Sequence, residues 1–137
     1  MLLLLRKESG SKFKTAVCGL YCGFQASNDR HGLWNEALYD VLRKEVRDLC
    51  RDGYRVLMLG DFNAHVGNTC SVGVVGNHPN INLNGERFLN FLRETNSLHL
   101  NGACRVQGDW STRISNGLWT WQKNGISTII DYGVVLT

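Results

Sequence analysis

The segment YRVLMLGDFN, residues 54–63, constrains the fold more than any other part of the sequence. It begins with an apolar run that holds a single cation and lies between Gly53 and Gly60, as expected for a central strand covered on both faces. Asp61 and Asn63 then follow with one aromatic residue between them. The segment therefore predicts a strand inside a sheet, with polar groups at its carboxyl end, where ligands bind in α/β sheets.

The segments around this strand predict further strands and helices. Strands are expected where apolar and β-branched residues end near turn residues, at 1–7, 13–21, 97–100, 119–121 and 126–136. Helices are expected where apolar residues recur every three or four positions, at 33–50 and 84–96. The polar stretches 28–32 and 67–85 are expected to be loops. Strand, helix and strand in this order predict an α/β or layered α+β arrangement.

Each predicted helix has one apolar face that should pack against the sheet. The first helix is expected to bury Trp34, Leu38, Val41, Leu42, Val46 and Leu49. The second helix is expected to have an Asn as its N-terminal cap and to bury Phe88, Leu89 and Leu92. The last two strands should form a hairpin around 123–125, because Asn-Gly is a strong turn signal.

Composition limits the class of protein. The chain has 137 residues, 43% of them hydrophobic, which is enough for one domain with a buried core. Its 15 Lys and Arg against 12 Asp and Glu permit a phosphate-bearing partner without demanding one. Its five irregularly spaced cysteines show no zinc-ligand pattern, which favours reduced thiols in an intracellular protein. The first apolar run is too short to span a membrane, so no membrane partner is expected.

Asp61 and Asn63 are the first candidates for chemistry. Side chains alternate along a strand, so both should point to one side while Phe62 points to the other. They would then aim a carboxylate and a carboxamide at one small volume. The alternative is structural: Asp61 caps the following turn and Asn63 holds loop backbone, as these residue types often do.

Asp131 is the second candidate, because it interrupts the apolar segment ISTIIDYGVVL, residues 126–136. A carboxylate in such a strand is costly to bury unless it is paired, hydrogen-bonded or close to a metal. Two strand-borne acids in one short chain favour a cationic or metal-assisted site. The alternative is an edge strand in which Asp131 faces solvent.

Three motifs occur in order along the chain: GDFNAHVG at 60–67, NGERFLNFLRETNSLHLNG at 84–102 and TWQKNGISTIIDYGVV at 120–135. Together they resemble the endonuclease/exonuclease/phosphatase superfamily, and most of all the apurinic-type endonuclease domain of non-LTR (LINE-type) retrotransposons. The resemblance implies an α+β fold of the partial four-layer α/β/β/α sandwich type. It also implies cleavage of DNA phosphodiesters with Mg²⁺ or Mn²⁺ as the cofactor.

The resemblance further implies roles for individual residues. Asp61 matches the family's Asp that orients or deprotonates the attacking water, and Asn63 matches the Asn that holds the site and the phosphate. Asp131 matches the Asp that fixes the catalytic histidine. Tyr21 matches a phosphate-contacting tyrosine, although GLYCGF departs from the family's pattern after that residue.

Substrate-binding roles are expected for three more residues. By the resemblance, Thr120 and Trp121 match a Thr/aromatic pair that lies near the DNA backbone. His65 lies two residues after the GDFN motif, and this position makes it a candidate for the rim of the site. The alternative for His65 is an ordinary surface histidine.

Parts of the family's pattern are not found. Upstream of Tyr21 the only Glu is Glu8, whose context does not fit the family's metal-binding Glu, and the closing Ser-Asp-His motif does not occur. Residues 1–137 are therefore expected to be a single partial domain, truncated at both ends, without the family's main metal ligands. The isolated chain is expected to be inactive or nearly so.

DNA is the expected partner, and the nucleus is the expected location if the chain belongs to a functional element. A partial domain is also expected to self-associate through exposed sheet edges or to depend on flanking segments of the same polyprotein. Two alternatives stay open. One is a non-catalytic remnant that binds nucleic acid weakly, and the other is a phosphatase branch of the superfamily that acts on a phosphomonoester or a lipid headgroup.

Overall fold

The computed structural model describes residues 3–8, 14–23, 30–67, 80–99, 121–124, 126–128 and 130–136. In these residues the chain forms strands and helices in this order: β1 (Leu3–Glu8), β2 (Lys14–Tyr21), α1 (Arg30–Arg51), β3 (Tyr54–Asp61), α2 (Leu83–Glu94), β4 (Ser97–His99), β5 (Trp121–Lys123), β6 (Ile126–Thr128) and β7 (Asp131–Leu136).

Five of the strands form one mixed sheet in the order β1-β2-β3-β7-β4. β2 and β3 run parallel, whereas the other neighbours in this sheet run antiparallel. β5 and β6 form a separate two-stranded antiparallel sheet. The fold is therefore mixed α+β, and β3 is the central strand that its apolar run predicts.

The core lies on one face of the sheet. Along β3 the side chains of Val56 and Met58 are buried, whereas Leu59 between Met58 and Gly60 is 47% exposed. The two described helices cover only one face of β3, because their buried apolar residues belong to the cluster that contains Val56 and Met58. Leu59 is also flanked in register by two glycines, Gly19 and Gly133, which supply no side chain beside it.

Helix α1 begins earlier than its apolar periodicity predicts. It starts at Arg30, so residues 30–32, predicted as loop, are helical. It ends at Arg51, and Gly53 then turns the chain with a φ of +78°, a conformation that glycine adopts without strain. Of the apolar residues predicted to face the core, four are buried: Leu38, Leu42, Val46 and Leu49.

Two residues of the predicted inward face of α1 lie on its outside. Trp34 is 67% exposed and Val41 is also exposed. The predicted face is too wide, since the buried stripe follows one narrow line of three- and four-residue steps along the helix. Asn35, a polar residue, lies on that line and is buried.

Helix α2 is capped by a different asparagine from the one at the predicted helix start. The N-cap is Asn82, whose side chain accepts a hydrogen bond from the Gly85 backbone N–H. Asn84 lies inside the first turn and is buried. The helix starts at Leu83, so the predicted loop at 67–85 ends before residue 85, and the predicted inward residues Phe88, Leu89 and Leu92 are buried.

The predicted hairpin forms, but its predicted second arm consists of two strands, β6 and β7, in different sheets. β5 pairs with β6 around Asn124, which has a φ of +51°. After β6 the chain enters β7, which lies between β3 and β4 in the main sheet. β7 is thus an interior strand at residues 134–136, where β4 pairs with it. Asp131 is paired with β3 alone in the described residues, so the edge-strand alternative for Asp131 stays open.

The two faces of β3 should respond differently to truncation. Met58→Ala should lower the free energy of unfolding by about 2–5 kcal/mol, because a fully buried side chain leaves a cavity. Leu59→Ala should cost about 1 kcal/mol or less, since half of that side chain is already in water. Urea denaturation of the two variants measures both values. Equal losses would show that Leu59 is packed against protein as Met58 is.

Candidate functional site

Three of the predicted site residues form one row across the sheet. Tyr21 at the end of β2 pairs with Asp61 at the end of β3, and Asp61 pairs with Asp131 at the start of β7. In each strand the next residue along the chain is buried, so the three side chains lie on the face opposite to the core. Tyr21 is 47% exposed, and the two acids are partly buried.

The pairing places the two carboxylates close together. Phe62 N donates a hydrogen bond to the carbonyl of Ile130 at 2.9 Å, so Phe62 and Ile130 form a hydrogen-bonded pair. The adjacent pair, Asp61 and Asp131, is then a non-hydrogen-bonded pair, in which Cα atoms lie about 4.5 Å apart. Side chains approach most closely in such pairs, and two negative charges there repel one another.

The surroundings of Asp61 shift the pKa of its carboxyl. Burial raises the pKa of its carboxyl above the usual value, and the negative charge of Asp131 raises that pKa further. The hydrogen bond from the Asn63 backbone N–H acts in the opposite direction, because it favours the ionised form. The carboxylate of Asp61 is therefore a stronger base than an exposed one.

An aromatic cluster lies beneath the two acids. Phe62 and Tyr132, which follow Asp61 and Asp131, point into the core and both contact Phe88 of α2, with ring centroids 4.6 Å and 4.8 Å apart. The Tyr132 hydroxyl donates to the carbonyl of Ala64 at 2.9 Å. These contacts hold the ends of β3 and β7 against one helix and turn both acids to the outer face.

Asn63 does not continue the strand alternation predicted for it. β3 ends at Asp61, and Asn63 has a left-handed φ of +45°. Asp61 Oδ1 accepts from Asn63 N at 2.8 Å, and Asn63 Nδ2 donates to the carbonyl of Cys22 at 2.8 Å. These contacts are those of the structural alternative, in which Asp61 caps the turn and Asn63 holds loop backbone.

Gly60 is needed for the close approach of β2 and β3. A Cβ atom at this position would overlap the carbonyl oxygen of Leu20. A side chain here would force the two strands apart next to the pair of Tyr21 and Asp61. Gly60 is therefore needed to keep these two residues side by side.

The remaining predicted residues lie elsewhere or outside the described residues. The backbone N–H of His65 donates to Asn82 Oδ1 at 2.9 Å, and its carbonyl accepts from Asn82 N at 3.2 Å. His65 thus joins the turn after Asp61 to the cap of α2. Trp121 begins β5, and Thr120 lies outside the described residues.

Three asparagines beside the site are absent from the predicted site residues: Asn35, Asn82 and Asn84. Asn35 and Asn84 are buried and joined by a hydrogen bond from Asn35 Nδ2 to Asn84 Oδ1 of 2.9 Å. For Asn35 the sequence does hold a signal, because this residue is in step with the apolar stripe of α1. A polar side chain on such a stripe needs a hydrogen-bond partner in the core.

Two further findings concern metals and membranes. Within the described ranges, no group of three or more His, Cys, Asp and Glu side chains could hold a metal ion. The helices of those ranges are also not long and apolar enough to cross a membrane.

A comparison with models of known protein families found no match for this chain, and a comparison with curated proteins found none either.

Replacing Asp61 should make stability less dependent on pH. A carboxyl whose pKa is raised by folding contributes stability that is fully present below its unfolded value, here 3.8, and is lost as pH rises through the folded value. Asp61→Asn should therefore be more stable than wild type at about pH 7 and show no gain at about pH 3. Urea denaturation across this range measures the difference.

Glu45→Gln on α1 is the matched control, because it removes one carboxylate away from the row of Tyr21, Asp61 and Asp131. It should show no such pH-dependent gain. A stability gain for Asp61→Asn that persists unchanged at low pH would contradict the raised pKa of Asp61.

Proposed function

We propose that this chain carries part of the active site of a metal-dependent DNA endonuclease of the endonuclease/exonuclease/phosphatase type, as in non-LTR retrotransposons. The observation that carries the proposal is the pairing of Asp61 with Asp131 beside Tyr21 on one exposed face of the sheet. Its motifs GDFN and TWQKNG–IDY support the same assignment.

In the proposed reaction Asp61 acts as the general base. Its raised pKa makes the carboxylate a better acceptor for a proton from water, and its partly exposed position leaves room for that water. The water attacks the phosphorus of a DNA phosphodiester in line while the bond from phosphorus to the 3′ oxygen breaks, so a 3′-hydroxyl leaves. Negative charge builds on the phosphate oxygens in the transition state. The exposed Tyr21 hydroxyl can donate a hydrogen bond to such an oxygen.

Mg²⁺ or Mn²⁺ is the cofactor that this reaction requires. Mg²⁺ is commonly bound through one or two carboxylates, several waters and substrate phosphates, rather than by a full protein cage. The carboxylate of Asp131, opposite Asp61, would supply one oxygen ligand of that partial set and leave Asp61 to accept the proton. When bound, the cation would neutralise charge on the phosphate.

We also propose that a further layer covers the outer face of the sheet, as in the four-layer α/β/β/α sandwich. The support is the apolar character of that face, where β2, β3 and β7 present Val17, Leu57, Leu59 and Val135. A sheet that is apolar on both faces is stable when both are packed.

A plasmid-nicking assay tests the catalytic proposal. With Mg²⁺ or Mn²⁺ the chain should nick supercoiled DNA only slightly above the no-protein background, because the family's metal-binding Glu and closing His are not found in its sequence. Asp61→Asn should abolish this residual activity, since a general base contributes about 10²–10⁴-fold. Glu45→Gln should nick as wild type does.

Two outcomes would overturn parts of this proposal. Robust nicking by wild type, lost in Asp61→Asn, would show that the site is more complete than expected. Equal nicking by wild type and Asp61→Asn would remove Asp61 from the reaction.

A second candidate is non-catalytic binding of nucleic acid, favoured by the commitment of the Asn63 carboxamide to the carbonyl of Cys22. Binding would then depend on exposed basic residues such as Lys44 and Arg47 of α1. The double variant Lys44→Gln/Arg47→Gln should lower the slope of log affinity against log salt by about 2. Fluorescence anisotropy with labelled DNA measures the slope, and a loss of binding in Asp61→Asn alone would contradict this candidate.

A further inference from the structure

The side chain of Asn84, in the first turn of α2, is fully buried and makes contacts at both ends of its carboxamide. Its Nδ2 donates to the carbonyls of Gly23 and Asn63, at 3.2 Å and 3.4 Å. Its Oδ1 accepts from Asn35 Nδ2 at 2.9 Å and from Arg87 Nη1 at 3.5 Å. Replacing a buried group with so many partners leaves polar atoms unsatisfied.

Asn35 extends this network from α1. Its side chain accepts from the Gly23 backbone N–H at 3.0 Å and donates to the Gly23 carbonyl at 2.9 Å. Gly23 follows the end of β2 by two residues, close to Tyr21. Both helices therefore hold the backbone that leaves β2.

Asn63 is held at its carbonyl and at its side chain. The carbonyl accepts from Asn82 Nδ2 at 3.0 Å and from Asn84 Nδ2 at 3.4 Å. The side chain donates to the Cys22 carbonyl at 2.8 Å. With these three hydrogen bonds in place and a φ of +45°, the backbone N–H of Asn63 is directed at Asp61 Oδ1, 2.8 Å away.

Gly85 allows α2 to reach the turn after Asp61. A Cβ atom on Gly85 would overlap the carbonyl oxygen of His65, so the first turn of the helix lies directly on this backbone. That close approach brings Asn84 within hydrogen-bonding distance of Asn63.

We infer that Asn84 is a positioning residue for the candidate site, because it joins the Asn63 carbonyl to the Gly23 carbonyl and so directs the Asn63 N–H at the Asp61 carboxylate. Its relevance to a reaction rests on the proposed function. The hydrogen-bond network itself is measurable without any activity.

Hydrogen exchange of backbone amides, followed by NMR, tests the inference in the full chain. Asn84→Asp keeps the shape of the side chain but removes both donors, so oxygen then faces the two carbonyls. We expect the exchange rate of the Asn63 amide, divided by that of the Met58 amide in the core, to rise about tenfold over wild type. Asn90→Asp, on the exposed side of the same helix, is the matched control and should leave the ratio unchanged.

The ratio separates positioning from general destabilisation, because global unfolding speeds the exchange of both amides together. An unchanged ratio in Asn84→Asp would overturn the inference. If Asn84→Asp does not fold, Asn84→Ser replaces it, because serine keeps one hydroxyl donor in the buried position. The ratio of the Asn63 to the Met58 exchange rate is then measured in Asn84→Ser, and an unchanged ratio would again overturn the inference.

Residual nicking at saturating DNA adds a second readout. In Asn84→Ser it should fall to the no-protein background, as in Asp61→Asn, because a misplaced reacting group no longer acts. Nicking by Asn84→Ser equal to that of wild type would count against positioning. A raised exchange ratio without Asp61-dependent nicking in any variant would support the network and overturn the proposed function.

Discussion

The register between β3 and β7 is the constraint on which the rest of the site depends. A shift of one residue would turn Asp61 or Asp131 into the core and bring an aromatic side chain out. The contacts of Phe62 and Tyr132 with Phe88 oppose that shift, because they bury the alternate positions of both strands. The same packing that stabilises the sheet therefore sets two like charges opposite each other on its outer face.

Local patterns predict the elements of the fold well, and long-range contacts explain where they fail. The apolar run of β3 and the Asn-Gly turn between β5 and β6 depend on neighbours in sequence, so their type is predictable. The link between Asn84 and Gly23 joins residues 61 positions apart, and no periodicity reports such a contact. An apolar run likewise does not reveal which face of β3 the two helices occupy.

The structural and functional interpretations of GDFN are compatible in one geometry. Asp61 Oδ1 closes the turn by accepting from Asn63 N, which is the role of a capping residue. That hydrogen bond also fixes the orientation of the carboxylate on the exposed face. The turn that ends the strand can therefore also orient the Asp61 carboxylate. The structural alternative, in which Asp61 caps the turn, is thus compatible with a reactive Asp61.

The opposed carboxylates of Asp61 and Asp131 destabilise the fold locally, and the packing and hydrogen bonds around them offset this loss of stability. Asp61 is partly desolvated beside Asp131, which raises its pKa and weakens folding at neutral pH. The buried aromatic cluster and the asparagine network lie directly behind this pair, where they stabilise the same backbone. Stability alone does not call for opposed carboxylates at this position, so their presence beside a packed and hydrogen-bonded backbone favours a function for the pair.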